Sequence, residues 1–331
     1  MSGFAAIEHG GDLSAARRRF PGAPEPFIDL STGINPVPWP VPVLPADALM
    51  RLPGRDALDR LAAAAALRYG APGAACVVAA PGTQILLPPV AALRAPGRAA
   101  VLGPTYAEHA RAAALSGHRV DDVIQVSDLA GVALAVVTNP NNPDGRVVPR
   151  AELLALAGRT GLLVVDEAFM DVGPAGESLA GDVARGGIVV LRSFGKFFGL
   201  AGLRLGFAIA APDMAAILRD RLGPWAVSGP ALAIGAAALA DTEWIAATRR
   251  RLAADAARLD GLLAGAGLTV AGGTALFRYV GTPDADGLYE RLGRRGILVR
   301  RFAGRPDRLR FGLPGEEAEW RRLGEALAAR D

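Results

Sequence analysis

Lys196 is the single lysine among the 36 Lys and Arg residues of this 331-residue chain. It lies in the glycine-punctuated stretch Ser193-Phe194-Gly195-Lys196-Phe197-Phe198-Gly199. Arginine can replace lysine wherever only a solvated positive charge is wanted, but a guanidinium stays protonated and cannot attack a carbonyl as an amine. A lysine kept in such a chain reads as an amine kept for chemistry; the bland alternative is a compositional bias that spared one residue by accident. Eight residues further on, Arg204 in Gly202-Leu203-Arg204-Leu205-Gly206 adds a guanidinium to the hydroxyl and the amine.

Three more features follow apolar runs, where open α/β sheets place their binding groups. Ala80-Pro81-Gly82-Thr83-Gln84 reads as a strand, a turn and a helix start; its backbone N–H groups suit a phosphate, or a simple cap. Thr138-Asn139-Pro140-Asn141-Asn142-Pro143-Asp144-Gly145 is a binding loop or a plain turn. The run at 162–165 ends in Asp166, a carboxylate suited to a helix cap or a metal, although no His/Cys/carboxylate cluster accompanies it and no metal is expected.

The elements that position these groups alternate. Apolar runs at 75–80, 99–102, 133–138, 162–165, 188–191 and 205–209 are separated by helical stretches, the pattern of a mostly parallel sheet covered on both faces. A Pro-rich stretch at 1–45 predicts an ordered arm, residues 46–225 a large α/β domain, and 226–331 a small α+β domain. Within these, helices are expected at 46–71, 231–266 and 286–294, and further strands at 276–280, 297–300 and 309–312.

Taken in this order, the features resemble fold-type I pyridoxal-phosphate enzymes of the aspartate aminotransferase superfamily over nearly the whole chain. Asn139, Asp166, Lys196 and Arg204 follow one another at spacings of 27, 30 and 8 residues. The resemblance implies that Lys196 carries the cofactor as a Schiff base, that Asp166 pairs with its pyridine nitrogen and that Asn139 bonds its 3-oxygen. Gly82, Thr83, Ser193 and Arg204 would hold the cofactor phosphate, and Tyr106 would stack on the ring. Phe169 stands where the family usually has a tyrosine, which removes one hydrogen bond to the 3-oxygen. Leu52-Pro53 stands where many relatives offer a Tyr-Pro pair from a neighbouring subunit.

Within the superfamily the chain is similar to the branch of histidinol-phosphate aminotransferases and threonine-phosphate decarboxylases. That likeness makes Arg310 the receptor of a substrate carboxylate and Arg300 that of a substrate phosphate. His9-Gly10-Gly11-Asp12-Leu13 and Ser31-Thr32-Gly33-Ile34-Asn35-Pro36 resemble the opening of the decarboxylases of cobalamin biosynthesis. His9 would then help bind the phosphate, with Gly33 and Asn35 on the carboxylate side. The expected reaction is decarboxylation of L-threonine O-3-phosphate, with an aminotransferase as the alternative, in a homodimer.

The bulk composition agrees with a small-molecule enzyme. Net charge is only +3, so no nucleic-acid partner is expected, and Arg17 to Arg19 and Arg249 to Arg251 read as solvated faces. No apolar run reaches the roughly 18 to 20 residues of a membrane span. The single cysteine, Cys76, and an N-terminus without a secretory pattern lead to the expectation of a soluble, cytoplasmic protein.

Overall fold

The computed structural model describes residue 7 and residues 9–329. They fall into a large unit, residues 39–142 and 147–245, and a small unit built from the described residues before Trp39, from 143–146 and from 246–329. The first strand in the chain is β1 (Ile28–Leu30). Seven follow in the large unit: β2 (Val77–Ala80), β3 (Arg98–Leu102), β4 (Arg119–Val123), β5 (Leu134–Thr138), β6 (Leu163–Asp166), β7 (Ile188–Ser193) and β8 (Gly206–Ala210). The small unit adds β9 (Thr269–Thr274), β10 (Phe277–Gly281), β11 (Ile297–Arg301) and β12 (Arg308–Gly312).

The large sheet runs β2-β8-β7-β6-β5-β3-β4. Its five strands from β3 to β7 are mutually parallel, whereas β8 is antiparallel to both β7 and β2. Every residue of β5 and β6 is buried, as expected of strands covered on both faces. Register places Thr138 opposite Asp166 and Asp166 opposite Leu191. The motifs that follow β5, β6 and β7 are therefore neighbours at the C-terminal end of the parallel strands, a strand spacing of about 5 Å apart.

In the small unit the order is β1-β11-β12-β10-β9. Strand β1 runs parallel to β11, pairing Ile28 with Ile297, and the remaining pairs are antiparallel. The segment expected as an arm thus supplies an edge strand to a sheet whose other strands come from the far end of the chain. A short segment whose partner lies about 270 residues away carries no local signal of that pairing.

Two expected helices are broken. The 46–71 stretch forms Asp47–Met50 and Arg55–Tyr69, separated by Leu52-Pro53-Gly54, because Pro53 removes a donor. The 231–266 stretch forms Gly229–Ala240 and Thr242–Gly265. Asp241 interrupts it: Oδ1 accepts from the Trp244 N–H at 3.0 Å, and Oδ2 from Trp39 Nε1 at 3.0 Å, so its side chain caps the second helix. Helix Gly229–Ala240 belongs to the large unit, packed so closely that a Cβ on Gly229 would lie 2.2 Å from the Ala48 carbonyl oxygen. The division consequently falls after Ile245 rather than at 225. No helix among the described residues is long and apolar enough to cross a membrane.

Candidate active site

Sequence motifs at the ends of β2, β5, β6 and β7 deliver most of the candidate groups in the large unit. Asp166 closes β6 with its carboxylate held from two sides: the Ala168 N–H donates to Oδ1 at 3.1 Å, and His109 Nε2 lies 2.9 Å from Oδ2. An ionised carboxylate only accepts, so Nε2 carries the proton in that pair. Lys196, partly exposed, sits in the short helix Phe194–Phe197 directly after β7, with Nζ 6.0 Å from the centre of the Phe169 ring. Behind it, Phe194 stacks on Phe198 at 4.4 Å and Phe198 on Trp244 at 5.7 Å, an apolar backing that fixes the turn bearing the amine.

Gly82 and Arg204 meet. Gly82 has φ +86°, a conformation that favours glycine, and the Arg204 guanidinium lies directly against it, with Nη2 2.5 Å from where a Cβ would sit. Arg204 itself takes a left-handed φ of 53° and donates from Nη1 to the Ala201 carbonyl at 3.1 Å. Gly206 brings β8 against Thr83: a Cβ on Gly206 would sit 2.6 Å from the Thr83 nitrogen. Thr83, Gly82 and Arg204 are thereby gathered, and Ser193 pairs in register with Gly206. Tyr106 approaches His109 edge-on, with centroids 5.8 Å apart.

Asn139 is placed differently from expectation. Its side chain is 0% exposed; Nδ2 donates to the Val148 carbonyl at 3.0 Å and Oδ1 accepts from the Val148 N–H at 2.9 Å. This amide braces the loop from inside and has no surface to offer a ligand. Asn141 is likewise buried, donating to the Pro104 carbonyl at 3.0 Å. Asn142, partly exposed, is the asparagine of this loop that can face a bound group.

The small unit gathers the remaining candidates. Arg300 and Arg310 are direct partners across β11 and β12, an arrangement of like charges that destabilises a sheet unless something offsets it. Arg310 is 7% exposed, donates from Nη2 to the Ser31 carbonyl at 2.8 Å and lies 5.0 Å from the centre of the Phe277 ring. Burial, with Arg300 adding to it, pushes its guanidinium down to about 9 against the partial offset of Asp29. The Ser31 hydroxyl accepts from the Gly11 N–H at 2.8 Å, and a Cβ on Gly10 would lie 2.5 Å from the Ser31 carbonyl oxygen. The exposed His9 thus leads into a segment seated on the Ser31 loop. Gly33 and Asn35 are buried in the same loop. Asn35 Oδ1 accepts from the Val37 N–H at 3.0 Å and from Arg251 Nη2 at 2.6 Å, so Arg251 is tied to the loop rather than merely solvated.

Sequence reading missed His109, Gln84, Asn142 and Arg251 as parts of these clusters. A usable signal for His109 was its place three residues after Tyr106 in a chain with only three histidines. No group of three His, Cys, Asp or Glu side chains arranged for a metal occurs among the described residues.

The single lysine after β7, a braced carboxylate ending the adjacent strand β6 and a guanidinium against a glycine turn, all on a doubly covered α/β sheet, define an aminotransferase-type framework. The chain belongs to the aminotransferase class I and II family, whose pattern matches residues 47–327. It is 47% identical to a threonine-phosphate decarboxylase from Sinorhizobium sp, covering 98% of each chain. It is 45% identical to another from Pseudomonas aeruginosa PAO1, covering 97% of each. Among solved structures it is similar to histidinol-phosphate aminotransferase from Sinorhizobium meliloti in complex with pyridoxal-5'-phosphate, with a TM-score of 0.82, 21% identity and coverage of 98% and 94%. That likeness is one of fold, the fold-type I architecture.

Proposed function

We propose that this protein is a pyridoxal-phosphate-dependent decarboxylase of cobalamin biosynthesis that converts L-threonine O-3-phosphate into (R)-1-amino-2-propanol O-2-phosphate and CO2. The observation that carries the reading is the 47% and 45% identity, over nearly the whole chain, to two proteins named threonine-phosphate decarboxylase. The residues present fit the cofactor: an amine for its aldehyde, a carboxylate already braced by His109, and a guanidinium lying on a left-handed glycine turn. When bound, pyridoxal phosphate supplies an electron sink for the pair released when a bond to the substrate Cα breaks.

Lys196 would bind the aldehyde, and its Nζ is then the group placed to return a proton to Cα. Asp166, held by His109 and the Ala168 N–H, would keep the ring nitrogen protonated. Gly82, Thr83, Ser193 and Arg204 would take the cofactor phosphate, Tyr106 the ring face and Asn142 the 3-oxygen. Arg310 would orient the substrate carboxylate, with Gly33 and Asn35 beside it, and Arg300 with His9 would take the substrate phosphate. With the cofactor bound, Arg310 would select the bond to break by the orientation in which it holds the substrate carboxylate, so that CO2 rather than the Cα proton would be lost. Phe169, whose ring centre lies 6.0 Å from Nζ, offers no hydroxyl to the 3-oxygen.

Two coarser assignments accompany this. Val43, Leu49, Met50 and Leu52 expose apolar side chains along one segment, a surface that a second copy would cover in a homodimer. The solitary Cys76 suits a reducing cytoplasm.

The test is to mix purified protein, pyridoxal phosphate and L-threonine O-3-phosphate and follow CO2 and the phosphorylated amine. Equimolar release of both, abolished in Lys196→Ala, is the expected result. Conversion of the cofactor to its amine form by histidinol phosphate, without CO2, would move the protein to the aminotransferases.

A further inference from the structure

Glu108 opens the helix Glu108–Leu115 yet is only 7% exposed. The helix start favours a negative charge there, and Arg111 Nη1 stands 3.6 Å from Oε1. Its other oxygen, Oε2, accepts from Gln84 Nε2 at 3.2 Å, and Gln84 Oε1 in turn accepts from the Tyr106 hydroxyl at 3.0 Å. An ionised carboxylate has no proton to give, so the Gln84 amide must turn its NH2 towards Glu108 and its oxygen towards Tyr106. The Tyr106 hydroxyl proton must then point at Gln84. One buried charge dictates every proton direction in the chain.

The two ends of this chain lie at different parts of the candidate site. Gln84 follows Thr83 in the turn Thr83–Leu86 that starts at Gly82. Tyr106 meets His109 edge-on, and His109 holds Asp166. The Tyr106 ring is thus held through its hydroxyl from the glycine turn and through its contact with His109, the partner of Asp166.

We propose that Gln84 and Glu108 are positioning residues that set the tilt of the Tyr106 ring against the cofactor and tie it to the phosphate-side turn. This rests on the pyridoxal-phosphate reading given above. Neither residue touches the reacting atoms; both act through Tyr106. A ring freed from Gln84 would still pack against the cofactor, but over a range of tilts.

The experiment compares wild type with Gln84→Met, which keeps the length and removes both hydrogen bonds, and with Tyr106→Phe, Glu108→Gln and the Gln84→Met/Tyr106→Phe double variant. Gln84 is exposed, so its replacement should fold. The readouts are the visible circular dichroism of bound pyridoxal phosphate, its dissociation constant, and kcat and KM for L-threonine O-3-phosphate. Gln84→Met is expected to lose most of the induced dichroism, to weaken cofactor binding about tenfold, as loss of a hydrogen bond implies, and to lower kcat with KM unchanged. Tyr106→Phe should match it and the double variant should add nothing, because both remove one link. Glu108→Gln, whose amide oxygen can still accept from Nε2, should keep most of the signal. Wild-type dichroism and cofactor affinity in Gln84→Met, with or without a lower melting temperature, would overturn the inference. A wild type that binds no pyridoxal phosphate would instead overturn the functional reading, and this inference with it.

Discussion

Among the described residues two arginines lie buried, one in each unit, and their surroundings are opposite. Arg192, in β7, is 4% exposed and sits between Glu167, 2.9 Å away, and Asp171, 3.1 Å away, with its guanidinium 4.3 Å from the centre of the Tyr69 ring. Burial works against its charge, but Asp171 and Glu167 together outweigh burial and hold it above the ordinary arginine value. Arg68 joins Asp171 at 2.8 Å, and Ser178 and the Leu179 N–H complete Glu167 at 2.6 and 2.8 Å. Arg310 is equally hidden but faces Arg300, and its proton is held less tightly than in water. A buried cation answered by fixed carboxylates serves the fold; one set beside another cation, with Asp29 as a partial offset, suits the anion-binding role proposed above. Burial alone, then, says little about an arginine's task, whereas the sign of its neighbours says a great deal.

The largest effects should separate the two. Arg192→Met leaves Glu167 as a buried charge without its cation and Asp171 with Arg68, and breaking a buried pair in this way costs about 3 to 5 kcal/mol. Urea unfolding should show that loss. Arg310→Gln removes a strained charge, so the unliganded protein should unfold at no lower a temperature than wild type. Its KM for L-threonine O-3-phosphate should nevertheless rise about 100- to 1,000-fold, the loss of one charged contact to a buried anion. If Arg310→Gln unfolds as early as Arg192→Met, the contrast between the two arginines is false.

A pH profile sharpens the same contrast at smaller scale. The folded value of Arg310, about 9, lies below the ordinary 12.5, so between those values the unfolded chain binds more protons and stability attributable to this group rises with pH. Binding of an anion runs the other way: any weakening of the Arg310 charge at high pH should raise KM, the opposite sign to its effect on stability. Because Arg300 contributes to the depression, Arg300→Gln should move that rise upward in pH, even as it raises KM at neutral pH. A profile flat to pH 11 would show that Arg310 keeps its proton and that Arg300 does not weaken it.

Much of the large unit was legible because its candidate groups follow apolar runs, and adjacent parallel strands bring consecutive motifs side by side. Lys196, Asp166, Gly82 and Arg204 needed only their local sequence to be noticed. Strand β4, Arg-Val-Asp-Asp-Val, was invisible because it is a polar sheet edge. Strand β1 was invisible because three residues inside a proline-rich stretch reveal nothing of a partner near the other end of the chain. The helix break at Asp241 depends on a cap whose second partner, Trp39, lies 202 residues away. His109 and Gln84 act through side-chain geometry that spacing does not encode.

The asparagines after β5 repeat the contrast in miniature, and here the sequence offered three without indicating which way each faces. Asn139 exchanges two hydrogen bonds with the Val148 backbone and is sealed from any ligand. Asn139→Ala strands a buried N–H and a buried carbonyl, each worth about 1 to 3 kcal/mol when left without a partner. That variant should lose stability, and any fall in kcat should disappear at a temperature where it is fully folded. Asn142→Ala should melt with wild type and lower kcat about tenfold, with a shifted visible band of the bound cofactor, since a contact to the 3-oxygen is worth about one hydrogen bond. The reverse result, a stable Asn139→Ala with an altered cofactor band, would return the ring contact to Asn139. It would also mean that the loop between Asn139 and Val148 opens when the cofactor binds, because a fully covered amide can meet a ligand only after its cover has moved.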